Sequence, residues 1–149
     1  MKQRNQIRTL GEVRKICTVQ RMDVEMQVER ANAQLRSLDD QRKAEGKALQ
    51  GFQDGWRSAV SGRSFQLAAA AAWSAEILRT EAVIDELGHD IENAQAVRRD
   101  LCNAQTAATA RCDATDDLWL TARRMAQRQR DEAVLDAHVG RAVAGWRSV

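Results

Sequence analysis

"GFQDGWRSAVSGRS", residues 51–64, carries three of the chain's eight glycines. On both sides run long stretches rich in Ala, Arg, Glu and Gln, and no proline occurs in the 149 residues. The fold depends on where in this stretch the chain reverses. Before it, apolar side chains recur in alternating steps of three and four. One row is Ile7, Arg14, Arg21, Val28, Leu35, Arg42, Leu49 and Trp56, and the other is Leu10, Cys17, Val24, Ala31, Leu38, Glu45, Phe52 and Ala59. Twelve of these sixteen are apolar, a sustained 3.5-residue period that marks a helix burying one seam against another helix. Phe52, Trp56 and Ala59 keep the register through Gly51 and Gly55, whereas a turn would reset it. Those two glycines therefore read as helical, each costing about 1 kcal/mol relative to Ala. The reversal falls to "SGRS", residues 61–64, where Gly62 can take a positive φ as a helix C-cap and Ser64 can cap the next helix. A turn at Gly51–Gly55 is the alternative.

The same period returns after the turn. Ile77, Ile84, Ile91, Cys112, Trp119, Ala126 and Ala133 lie on one row, and Leu87, Ala94, Leu101, Ala108, Ala122 and Val143 on the other. Arg98, Gln105 and Thr115 interrupt it, and near the end the seam shifts to Leu135, Val139, Ala142 and Trp146, as a stutter does. The expected fold is all-α, two long helices in an antiparallel coiled-coil hairpin. Helix 1 is expected over about 5–60, the turn over about 61–64 and helix 2 over about 65–145. Folding back at residue 62 or 63 sets Leu35 opposite Ile91, Val28 near Arg98 and Ile7 near Trp119, with the residues after Ala122 overhanging the start of helix 1. Polar seam residues such as Arg14, Arg21 and Gln105 lower stability but can fix register.

Composition supports this reading. Charged residues make up 30% and aromatics 4%, and tyrosine is absent, which argues against a thick core and for helices. "LAAAAAW", residues 67–73, is helical on propensity. Cys17, Cys102 and Cys112 are odd in number and have no CxxC spacing, so neither a disulfide framework nor a zinc site is indicated, and a reduced cytoplasmic setting is expected. No apolar run reaches the roughly 20 residues of a spanning helix. The basic start "MKQRNQIRTLGEVRK" lacks a signal peptide's apolar stretch.

Charge is sorted along the chain. Residues 1–21 hold Lys2, Arg4, Arg8, Arg14, Lys15 and Arg21 against Glu12 alone. Residues 121–130 hold Arg123, Arg124, Arg128 and Arg130 with no acid. Residues 76–92 hold Glu76, Glu81, Asp85, Glu86, Asp90 and Glu92 against Arg79. A single charge run is ordinarily a solvated helix face. Two basic clusters brought together at the hairpin's open end suggest docking to an acidic partner. The net charge of +2 does not make nucleic acid the default partner.

Catalytic signals are lacking. Glu86 and His89 have the ExxH spacing of di-iron bundles, but that chemistry needs a second motif and two more carboxylates, and His138 has no Glu three residues before it. No glycine-rich phosphate loop follows a strand. No cofactor or metal is expected, and no enzyme activity. Trp56 and Trp119 are seam residues. Trp73 and Trp146 are either packing residues or interface anchors, a role in which Trp is over-represented.

The basic start "IRTLGEVRK" with Ile7, Leu10, Val13 and Arg14, the single glycine-bearing turn before the midpoint, and the Ala- and Gln-rich second helix together resemble the YscO/HrpO/FliJ-type central stalk proteins of type III secretion and flagellar export. The resemblance covers the whole chain and rests on pattern. It implies a hairpin like the coiled coil of a rotary ATPase shaft, with no active site of its own. Such a protein sits in the export ATPase ring, promotes its assembly or turnover, reaches toward the membrane export gate and in some cases binds export chaperones. It is cytoplasmic and peripheral to the inner-membrane export apparatus. Under this reading the candidate partner contacts are Arg4, Arg8, Arg123, Arg124, Arg128, Trp73 and Trp146, with no nucleic acid and no membrane insertion. The alternative is a coiled-coil adaptor or export-chaperone-binding protein of another system. A nucleic-acid or acidic-membrane binder is a third reading, recognisable by affinity that collapses with salt.

Overall fold

The computed structural model describes residues 2–146. Among them there are two helices and no strand: α1 is Lys2–Ser61 and α2 is Leu67–Trp146. The two pack against each other as an all-α helical hairpin. α1 passes unbroken through Gly46, Gly51 and Gly55, because the heptad seam on either side holds the backbone in place where propensity alone would not.

Val28, Ala31 and Ala59 of α1 are buried, and so are Ala70, Thr80, Leu87, Ala94, Ala108 and Cys112 of α2. All fall on the heptad rows or on their backward extension. Most are small, which lets two helices approach closely. No large side chain is fully enclosed among the described residues, as two helices without a third layer require.

The connection is Gly62–Gln66, one residue longer than the expected 61–64 and ending two residues later. Its chemistry also differs from expectation. No described glycine has a positive φ, so Gly62 is not a left-handed cap. Glycine is suited there by space instead, since a Cβ would lie 3.1 Å from the Ser58 carbonyl oxygen. The Gln66 amide donates to the Ala59 carbonyl at 3.2 Å, and the Gln66 carbonyl accepts from the Ala70 amide at 2.9 Å. Gln66, not Ser64, therefore occupies the cap position before α2.

The contacts sort into two units: Glu25–Asn103, which contains the turn, and Met1–Val24 with Ala104–Val149, called here the terminal unit. In the turn unit, Phe52 and Trp73 stack with ring centroids 5.8 Å apart, and Trp73 covers Gly55. Leu35 and Ile91 line one shallow cleft with Arg36, Asp39 and Gln95. Arg98 Nε donates to Asn32 Oδ1 at 2.6 Å, so Arg98 lies one turn further along α1 than the expected Val28. In the terminal unit, Trp119 lies against Gly11, again one turn beyond the expected Ile7. The later centre of the connection accounts for both displacements. No helix among the described residues is long and apolar enough to cross a membrane.

Candidate functional site

The terminal unit brings the two basic clusters onto one stretch of paired helix. Gln6 and Leu10 of α1 line a cleft with Leu118, Thr121, Ala122 and Met125 of α2. Arg4 and Arg8 bracket Gln6, and Arg123, Arg124 and Arg128 follow directly on the α2 side. All five are exposed.

Arg14, expected as a polar seam residue, turns outward to an acid. Its Nε reaches Asp116 Oδ1 at 2.6 Å, and Nη2 lies 3.5 Å from Oδ2. The pair is exposed enough that solvent screens most of its energy. It does restrict where Arg14 sits, and its guanidinium carbon lies 4.9 Å from the Trp119 ring centroid. Arg123 approaches the same ring at 4.7 Å. Trp119 thus holds two guanidinium groups, one from each helix, through the negative charge of its ring face. The expectation for Trp119 was seam packing alone. A small residue at Gly11, where the partner helix has to make room for an indole, is the signal that points to the cluster.

The seam below is closed by thiols. Cys17 Sγ and Thr115 Oγ1 are 3.8 Å apart. Burial pushes the Cys112 thiol above its ordinary pKa, and the neighbouring Cys17 thiol adds to the shift.

Trp73 and Trp146 fall in different settings. Trp73 is half-buried and engaged with Phe52 and Gly55, so its ring packs inside the hairpin rather than standing out for a partner. Trp146 is 89% exposed. Every residue after Ala126 whose side chain is described is exposed as well. His89 is exposed and its acidic neighbour is Glu92, 4.0 Å away. No three His, Cys, Asp or Glu side chains among the described residues form a group that could hold a metal. The arrangement offers exposed positive charge and an uncovered apolar face, which is the chemistry of binding a protein surface.

Comparison of the chain with protein-family models, with curated proteins and with solved structures finds no match.

Proposed function

We propose that the chain is a non-enzymatic stalk of a type III secretion export apparatus, docking in the export ATPase ring and linking it to the export gate. The observation that supports this reading is the gathering of Arg4, Arg8, Arg123, Arg124 and Arg128, all exposed, in one unit of a two-helix hairpin. A hairpin two helices wide suits a ring pore, and a concentrated positive field steers it toward an acidic collar. The stalk's place is cytoplasmic, peripheral to the inner-membrane export apparatus, with export chaperones as further partners.

The test uses the cognate export ATPase mixed with the full chain. Stimulated ATP hydrolysis or larger rings are expected. Reversing Arg4, Arg8 and Arg124 to Glu should weaken the effect while helicity persists, and added salt should do the same. Arg123 is left unchanged because it packs on Trp119, and Arg128 because Arg124, one turn before it on the same face of α2, already tests that face. Equal stimulation by wild type and the triple reversal would reduce the basic end to a solvated surface.

A second reading is a coiled-coil adaptor that takes an export chaperone or partner helix. The uncovered end of α2, with Trp146 at its limit, favours it. No response from any export ATPase, together with capture of a partner helix, would move the assignment there.

A further inference from the structure

α2 carries a second seam in the terminal unit. Its first seam, with Ala108, Cys112, Trp119, Ala122 and Ala126, is spent on α1. A separate set of residues also advances in steps of three and four: Leu118, Thr121, Met125, Arg128, Glu132, Leu135, Val139, Ala142 and Trp146. Where the two sets overlap, Leu118, Thr121 and Met125 each precede a first-seam residue by one position, so this set lies about 100° round the helix from the first and flanks the groove that α1 lines with Gln6 and Leu10. A further helix can therefore lie beside α1 on this flank.

Every member of the second set is exposed. Leu118 is 61% exposed, Leu135 62% and Val139 61%. Five of the nine positions, Leu118, Met125, Leu135, Val139 and Trp146, hold large apolar side chains, and apolar residues recurring at heptad spacing over about four heptads are the pattern of a coiled-coil interface. A solvated helix face has no reason to keep them in register.

The two charges in the set select the occupant. Arg128 and Glu132 are adjacent members, with Met125 before them and Leu135 after. We infer that a second copy of the chain packs antiparallel along this seam, about a two-fold axis level with residue 130, pairing Arg128 of each copy with Glu132 of the other. The same operation sets Met125 opposite Leu135, Thr121 opposite Val139 and Leu118 opposite Ala142. Each layer draws one residue from each heptad row, as antiparallel coiled-coil layers do. A parallel, in-register pair would instead oppose Arg128 to Arg128 and Glu132 to Glu132, which like-charge repulsion forbids. The seam is thus complementary to itself under two-fold symmetry, the requirement for an isologous dimer. The paired charges fix register at the centre, and the apolar layers on either side supply the attraction. This dimer does not rest on the export reading, and it uses none of the arginines reversed in the test of that reading.

The experiment is sedimentation of the full chain over a concentration series, for wild type, Arg128→Glu, Glu132→Arg and an equimolar mixture of the two variants. Wild type should reach a dimer. Each variant alone opposes like charges twice and should raise the dissociation constant roughly tenfold or more. The mixture restores both pairs, so it should recover the dimer as a heterodimer. The substituted side chains are exposed, and helicity by circular dichroism should match wild type. As an independent reading, Met125→Cys and Leu135→Cys placed in separate copies whose native cysteines are replaced by Ala should form a disulfide between chains under mild oxidation. Wild type that stays monomeric throughout the series, or variants that associate as well alone as mixed, would overturn the inference.

Discussion

The indole of Trp73 occupies the space that a side chain at position 55 would need: a Cβ on Gly55 would lie 2.8 Å from Trp73 Cε2 and 3.1 Å from Cδ2. Those atoms belong to the rigid bicyclic ring, and Phe52 stacks on the same ring with centroids 5.8 Å apart. Gly51 stands one turn earlier in α1 with nothing within 4 Å of its Cβ position. The two glycines share a helix and a backbone conformation, so they separate propensity from packing. Gly51→Ala should stabilise the hairpin by about 1 kcal/mol. Gly55→Ala should destabilise it despite the same gain in propensity, because the Phe52–Trp73 stack has to move. Urea unfolding of the two variants checks this. A stabilised Gly55→Ala would mean that Trp73 does not rest on the backbone there.

Leu35 and Ile91 line the same cleft across the two helices. A cysteine at each, in a chain with Cys17, Cys102 and Cys112 replaced, should form an intramolecular disulfide under mild oxidation. A reversal at Gly51–Gly55 would instead bring position 35 near residue 73. Mass spectrometry of the oxidised, proteolysed chain distinguishes the two registers.

The first-seam residues were legible because a 3.5-residue period survives single polar interruptions. Val28, Ala31 and Ala59 sit on the rows that periodicity assigns, and all three are buried. Trp73 was harder to place. The five alanines before it are apolar on every side, so they carry no phase, and the seam of α2 became visible only from Ile77. Ala70, also buried, extends it back past Trp73, and buried Thr80 fills the row one heptad before Leu87. The connection ends later than expected because Ser64 read as the cap of α2: Gln66 caps it instead, and Phe65 lies outside both helices, 60% exposed. The Arg14–Trp119–Arg123 cluster needs the register correct to within one turn, and sequence spacing fixes register only as well as it fixes the turn.

Cys112 predicts a pH dependence. Its thiol is raised by burial first and by the Cys17 thiol next, with Asp116 adding and Arg21 opposing. As pH climbs past the ordinary thiol value of 9.0, the unfolded chain loses this proton before the folded chain does. The folded state then binds more protons, so stability falls with rising pH from that point until the folded thiol also ionises. Below it the contribution is flat. Lys43 shifts in the same direction through its hydrogen bond to Asp39, but its part begins only above 10.5. The urea midpoint of wild type should therefore decline just above pH 9.0 while that of Cys112→Ala stays level. Parallel declines in both proteins would place the titrating group elsewhere.

Trp119 should be the residue on which the terminal unit depends most. Its ring meets Gly11 of α1 and carries Arg14 at 4.9 Å and Arg123 at 4.7 Å. Each cation–π contact at a half-exposed site is worth about 0.5–1 kcal/mol, and truncating a large aromatic side chain adds the loss of its packing. Trp119→Ala should destabilise by about 2–3 kcal/mol, less than a fully buried Trp would cost, because this ring is only half-buried. Arg14→Ala loses one ring contact and an exposed ion pair, together about 1 kcal/mol. Salt separates the two parts, since it screens the Asp116 pair more than the contact with the ring. A double-mutant cycle between Arg14 and Trp119 should give a coupling of about 0.5–1 kcal/mol that persists at high salt. The matching cycle between Arg14 and Asp116 should shrink as salt is added. If the Arg14–Trp119 coupling vanishes with salt as well, the guanidinium is held by the carboxylate alone and the indole serves only as packing.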